Sequence, residues 1–270
     1  MAQELYRQAI ITFIDILGFK EMVRSKSASE VKRSLKAIRA FSGLDEKEDG
    51  DGYLPKTVQF SDSIIRIRPL DATANMEYPY GMLFHELNDI VLMQGELVNF
   101  GVAIRGGITI GDISFDDQLI FGPGFIRAYE LESSFAQHPR VVLDPKMIEN
   151  MHNDERLFSF HNDRSEEIEF IRSQVRRGDD GLYFVDYLVA FPRNVTNPER
   201  IPEFFENSKK LIMSNVSGKK GLDGVLSKYI WLSHYHNFAV GECFERVSDT
   251  EDMWVTESEF PLLAEMRKAP

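Results

Sequence analysis

Two aspartates sit where an uncharged residue would be expected. Asp15 interrupts the apolar run AIITFIDILGF, residues 9–19, and Asp62 sits inside the short motif FSDS, residues 60–63. Hard carboxylate oxygens that converge on one point suit Mg²⁺ or Mn²⁺. Gly18 follows Asp15 closely, and a glycine turn there can aim backbone N–H groups at phosphate oxygens. Together these parts make a site for a metal and a nucleoside triphosphate. Each also has a plainer reading: an aspartate after a strand caps the next helix, and one in a tight turn bonds its own backbone.

The elements that must position these residues follow from periodicity. AIITFIDI, residues 9–16, is β-branched and almost continuously apolar, as a central strand buried on both faces is. LGFKEM after it reads as a turn. Residues 27–41 place Val31, Leu35, Ile38 and Phe41 at helical spacing, with Ser27 or Ser29 as the cap. KTVQFSDSIIRIR, residues 56–68, reads as a hairpin, residues 80–100 as a long helix and residues 102–113 as a strand. Residues 118–135 run from strand through Gly-Pro-Gly into helix, and 140–145 are a further strand. The order is βαββαβ with additions, an α+β, ferredoxin-like core. We expect that core over residues 1–150 and a mainly helical C-terminal extension over 151–270, with 182–191 as a strand and 201–216 and 222–240 as helices.

Bulk properties narrow the functions. The net charge of −12 repels nucleic acid. A single cysteine, Cys243, excludes an internal disulfide and reads as a small apolar side chain. The N-terminus has no secretory pattern and no window is a membrane span, so the expected setting is the cytoplasm, without membrane or nucleic-acid partners. The acidic stretch 44–51 reads as a solvated loop. His234 and His236 stand two apart, a spacing that puts them on different helix faces and argues against a zinc pair. Gly106-Gly107 reads as a close backbone approach within the sheet, and the Trp231 helix as packing or dimer surface.

The motifs FIDILGF, FSDS, IRGGITIGD and FGPGFIRAYELE, in that order over residues 8–145, resemble the catalytic domains of class III nucleotide cyclases. That resemblance implies that Asp15, Asp62 and the carbonyl of Ile16 ligate two Mn²⁺ or Mg²⁺ ions, and that Leu17, Gly18 and Phe19 form the phosphate turn. Arg105 matches a family arginine, and Arg127 and Lys56 are further candidates for triphosphate charge. The departures are specific. Val58 and Leu119 stand at the family's purine-selecting positions, and Ile126 and Glu130 at its transition-state asparagine and arginine. The combination, with KYIWLSHYHN at 228–237, is similar to the pyrimidine cyclases of the Pycsar antiphage system. It implies cyclisation of UTP, or else CTP, in a homodimer, the product being read by a separate effector protein. Tyr53 and Gln59 are the candidate base readers, against plain readings as a core-covering aromatic and a solvent-facing strand residue. A purine cyclase and a nucleotide-binding module without turnover are the rival readings. A diguanylate-cyclase relative is disfavoured by FSDS in place of GG[DE]EF.

Overall fold

The computed structural model describes residues 6–44, 53–116, 118–216, 224–244 and 251–265. The acidic stretch at 44–51 lies almost wholly outside them. Strand β1, Arg7–Ile16, is followed by α1 (Phe19–Ser25), α2 (Ala28–Phe41), the hairpin strands β2 (Lys56–Phe60) and β3 (Ser63–Pro69), α3 (Met82–Asn99) and β4 (Ile104–Phe115). Then come β5 (Ile120–Phe121), α4 (Pro123–Glu130), a π-helical turn over Leu131–Phe135, and β6 (Val141–Leu143). The remainder holds α5 (Pro145–Asn150), α6 (Arg164–Ser173), β7 (Val175–Arg177), β8 (Tyr183–Val185), α7 (Tyr187–Asn194), α8 (Arg200–Val216) and α9 (Leu226–Phe244).

The sheet runs β2-β3-β1-β4-β6-β8-β7, with β5 added to β4. β1 is antiparallel to both β3 and β4, and β2 to β3. That strand order and polarity is the ferredoxin-like βαββαβ arrangement, and the fold is α+β as expected. β6 extends it in parallel to β4, and β8 and β7 continue antiparallel. The extension therefore contributes strands as well as helices, and one apolar cluster runs from Ile10 to Leu263.

β1 explains its own composition. Ile10, Ile14 and Ile16 enter the large core on the α3 side, while Ala9, Ile11 and Phe13 pack on the opposite face with Ala128 of α4. A strand covered on both sides has no use for alternation. Asp15 shares the face of Phe13 and lies beside Arg105 in register. The gap between α4 and the sheet is closed by small residues. A Cβ on Gly107 would overlap Leu131, and one on Gly106 the Phe13 carbonyl.

Three readings are corrected. LGFKEM is not only a turn, because Phe19 to Ser25 wind into α1. Ser27, not Ser29, caps α2, in a reciprocal box with Glu30. Residues 182–191 form the short strand β8 and then α7, which starts after Asp186. Tyr187 to Pro192 are all buried, so the run is apolar on every side and carries neither period. Trp231 lies in the core, its ring stacked on His138 at 4.9 Å.

Candidate active site

The site is built at one end of the β1–β3–β2 ribbon. Phe60 pairs with Ser63 across a two-residue turn of Ser61 and Asp62. Ser61 has φ 57, the one positive φ outside glycine among the described residues. That conformation favours glycine in a hairpin, and a serine held there is strain of the kind that gathers at functional turns. The turn presents Asp62 beside Asp15, close enough to raise the Asp15 carboxyl. Ser63 Oγ also donates to Asp15 Oδ1 at 3.3 Å. Beyond Ile16 the chain turns through Gly18 in the left-handed region, φ 74, with Leu17 N–H anchored to the Ala103 carbonyl at 2.9 Å. Asp15, Ile16, Leu17, Gly18 and Phe19 thus line one sheet end beside Asp62.

Burial and the neighbouring Asp62 carboxylate push the Asp15 carboxyl up to about 7, with Glu132 adding to the rise and Arg105 opposing it. A like charge beside Asp15 disfavours its ionisation, and a cation between the two carboxylates relieves that. The residues present therefore fit a divalent ion through the two aspartates, with the Ile16 carbonyl one residue along. Among the described residues no group of three or more His, Cys, Asp or Glu side chains is placed to hold a metal.

Arg105 joins the site by two contacts. Its Nη2 lies 3.7 Å from Asp15 Oδ2 and 2.7 Å from Glu132 Oε1. Glu132 comes from the π-helical turn after α4 and is almost fully buried, which holds its carboxyl above the usual range. Lys228, from the start of α9, feels the charges of Arg105, Glu132 and Asp15, and burial lowers its ammonium. The sequence reading missed Glu132 and Lys228. Glu132 stood in the quoted ELE stretch, but nothing in its spacing shows that its partner is on β4. Lys228 opened the quoted KYIWLSHYHN stretch, but nothing in that stretch shows that the extension brings it to Asp15.

Other expected site residues lie elsewhere, for stated reasons. Tyr53 stacks on Tyr78 at 4.1 Å and meets His85 edge-on. Its carbonyl accepts from Arg68, whose register partner Ile10 is at the far part of β1. It covers the core and is not brought to the aspartates. Gln59 alternates with Val58 and Phe60, so it lies on the face opposite Asp15, and its Nε2 donates to the Ser61 carbonyl at 3.0 Å. Arg127 is a bidentate partner of Asp144, at 2.8 and 3.0 Å, and is not joined to Asp15 or Asp62. Lys56 opens β2, opposite Ile67, away from the turn. Val58 is half-buried on the Asp15 face, whereas Leu119, Ile126 and Glu130 are exposed. His236 is buried between Ser208 Oγ and the Met253 carbonyl, and burial takes it down to about 4, which makes it a packed core histidine. No described helix is long and apolar enough to cross a membrane.

No protein-family model and no curated protein matches the chain. Among solved structures it is similar to the crystal structure of the catalytic core of a rhodopsin-guanylyl cyclase with converted specificity in complex with ATPαS. The identity is 11%, the TM-score 0.41, and the match covers 68% of this chain and 98% of that one. The fold assignment rests on the strand order described above.

Proposed function

We propose that this protein is a nucleotide cyclase of the class III type, that it acts on a pyrimidine nucleoside triphosphate, UTP or else CTP, and that it does so as a homodimer. The observation that carries the reading is the placement of Asp62, from the β2–β3 turn, beside Asp15 of β1 at the mouth of a glycine turn. Asp15, Asp62 and the Ile16 carbonyl would hold Mg²⁺ or Mn²⁺. An ion held there would supply a lower pKa for the ribose 3′-hydroxyl and would neutralise phosphate charge. The chain's own residues orient the substrate: the Leu17-Gly18-Phe19 turn faces the triphosphate, and Arg105 balances its negative charge. The 3′-oxygen forms a bond to the α-phosphorus, the bond to pyrophosphate breaks, and the 3′-proton passes to solvent water. Val58, on the site face, stands where the resemblance would put a purine-selecting lysine, and the pyrimidine assignment rests on that departure.

A single chain leaves an apolar side open. Phe60, Ile126 and Tyr129 are exposed on the side of the sheet that carries Asp15 and α4. A second copy covering them would complete the pocket. A setting in the cytoplasm, with the product read by a separate antiphage effector, follows from the resemblance alone. The second reading, a module that binds triphosphate without turnover, is favoured by Ile126 and Glu130, which lack the amide and guanidinium expected on α4.

The test is product analysis by mass with Mn²⁺ and all four ribonucleoside triphosphates, beside an Asp62→Ala control. Cyclic UMP or cyclic CMP, absent in the control, is the expected result. Cyclic AMP or GMP overturns the pyrimidine assignment. Triphosphate binding with no product leaves the second reading.

A further inference from the structure

A cavity away from the aspartates has no role in the chemistry above. It encloses ≈ 450 Å³ between the start of α4, helix α5 and the outer edge of β4. That volume lies within the ~300–1,000 Å³ of small-molecule sites. Its floor is Thr109 to Gly111, and Ile110 pairs with Ile10, five residues before Asp15 on β1. Along a strand this is ~17 Å from Asp15.

The floor is an unpaired strand edge. Odd-numbered residues of β4 bond towards β1, in step with the Ala103 carbonyl just before the strand, which accepts from Leu17. Even-numbered ones bond towards β6: Gly106 N–H donates to the Arg140 carbonyl, and the Ile108 carbonyl accepts from Asp144. β6 ends at Leu143, so Ile110 is the next residue aimed at that side and has no strand to meet. Among the described residues its carbonyl receives only a 3.5 Å contact from the Thr109 hydroxyl, which donates to Asp144 at 2.8 Å. Main-chain donors and acceptors left without partners are costly. An N–H and a C=O side by side match a ligand edge that carries an acceptor next to a donor, as a nucleobase does.

The walls fit a flat ring with an anionic tail. Met147, Met151 and Leu157 are buried and apolar, and thioethers adapt to a ring's shape. The lining charges are already paired: Arg127 with Asp144 and Asp154 with Arg156. Lys146, at the rim, is the lining cation with no ion pair among the described residues.

We propose that this cavity is a nucleotide site separate from the aspartate pair: it takes the base of a nucleoside monophosphate on the Ile110 edge and the phosphate on Lys146. It does not depend on the cyclase reading. The phosphate has two possible sources, an open 5′-monophosphate or a 3′,5′-cyclic one, and both offer the same chemistry to Lys146.

The experiment is calorimetric titration and thermal melting of the full chain with uridine, UMP, cyclic UMP, AMP and cyclic AMP. It is run on the wild type, Asp62→Ala, Lys146→Glu and the rim variant Asn150→Trp, each checked for a native melting transition. Expected are binding and a raised Tm for one or more nucleotides, unchanged by Asp62→Ala. Lys146→Glu should weaken the monophosphates at least ~10-fold, about the 1.4 kcal/mol of one lost charged contact, and spare the nucleoside. Asn150→Trp should remove binding. A preference for the cyclic or the open phosphate identifies the source, and either supports the site. No binding by any compound overturns it, as does binding lost in Asp62→Ala or indifferent to both rim variants. Absence of cyclase product beside intact binding would count against the cyclase reading alone.

Discussion

The Arg105 guanidinium is ion-paired to Glu132 at 2.7 Å, closer than the 3.7 Å that separates it from Asp15. Glu132 therefore sets where this arginine can reach. It is nearly buried, while Arg105 keeps about a quarter of its side chain exposed, at 23%. The buried partner is the fixed one, and the exposed partner is aimed by it. Glu132→Gln removes the anion and leaves Arg105 to swing onto the aspartates. A misplacement near 1 Å is worth up to ~10²-fold in rate. The expected outcome is a 10- to 100-fold fall in kcat, with Glu132→Asp recovering part of it. Steady-state kinetics on both variants check this, and equal losses in the two would reduce Glu132 to a packing role.

The apolar side of the site gives a second expectation. Phe60 is 80% exposed at the hairpin that carries Asp62, and Tyr129 packs edge-on against Phe13 while half its surface faces outward. Isolated exposed apolar residues need no explanation, but several beside one site mark an interface. Phe60→Asp should shift the mass in light scattering from dimer to monomer at low micromolar concentration. It should lower activity in proportion, because in the proposed homodimer each pocket would need both copies. A wild type that is monomeric at all concentrations would sink the homodimer.

Much of this was legible from residue types. β1 announces itself as a strand covered on both faces, and Asp15 stands out because its neighbours on that face are Ala9, Ile11 and Phe13. The hairpin, the long α3 and the Gly106-Gly107 approach follow from periodicity and from the absence of a Cβ. What failed has physical causes. A run buried on all sides, such as Tyr187–Pro192, has lost the polar face that reveals its period. Gln59 illustrates a narrower lapse, since strand parity alone puts it and Val58 on opposite faces. The ion pairs of Arg105 with Glu132 and of Arg127 with Asp144 join separate elements. Which of two arginines serves the site is decided by packing that no local pattern contains.

A buried charge cluster behind the sheet gives the last expectation. Arg66 and Arg68 project from β3 onto α3, where both meet Glu86, at 2.9 and 2.7 Å, and Asp89, at 2.5 Å each. Thr12 Oγ1 also donates to Glu86 at 2.7 Å. The same arginines bond the Ser42 and Tyr53 carbonyls, so the cluster ties the end of α2 and the approach to β2 onto the strand that leads from Asp62. Burial opposes ionisation of Glu86, but the two guanidiniums prevail and take its carboxyl down to about 2. A carboxyl whose folded value is depressed stabilises the fold above its unfolded value and loses that contribution as pH falls to the folded one. The window here runs from about 4.5 to about 2. The full contribution is on the order of 3 kcal/mol. Glu86→Gln leaves the half-exposed Asp89 as the one carboxylate facing two buried guanidiniums and should cost about 3–5 kcal/mol near neutral pH. Urea unfolding of both proteins from pH 7 to pH 2.5 should show their stabilities converging as the pH drops below 4.5. A constant gap across that range would mean that Glu86 acts by shape and not by charge.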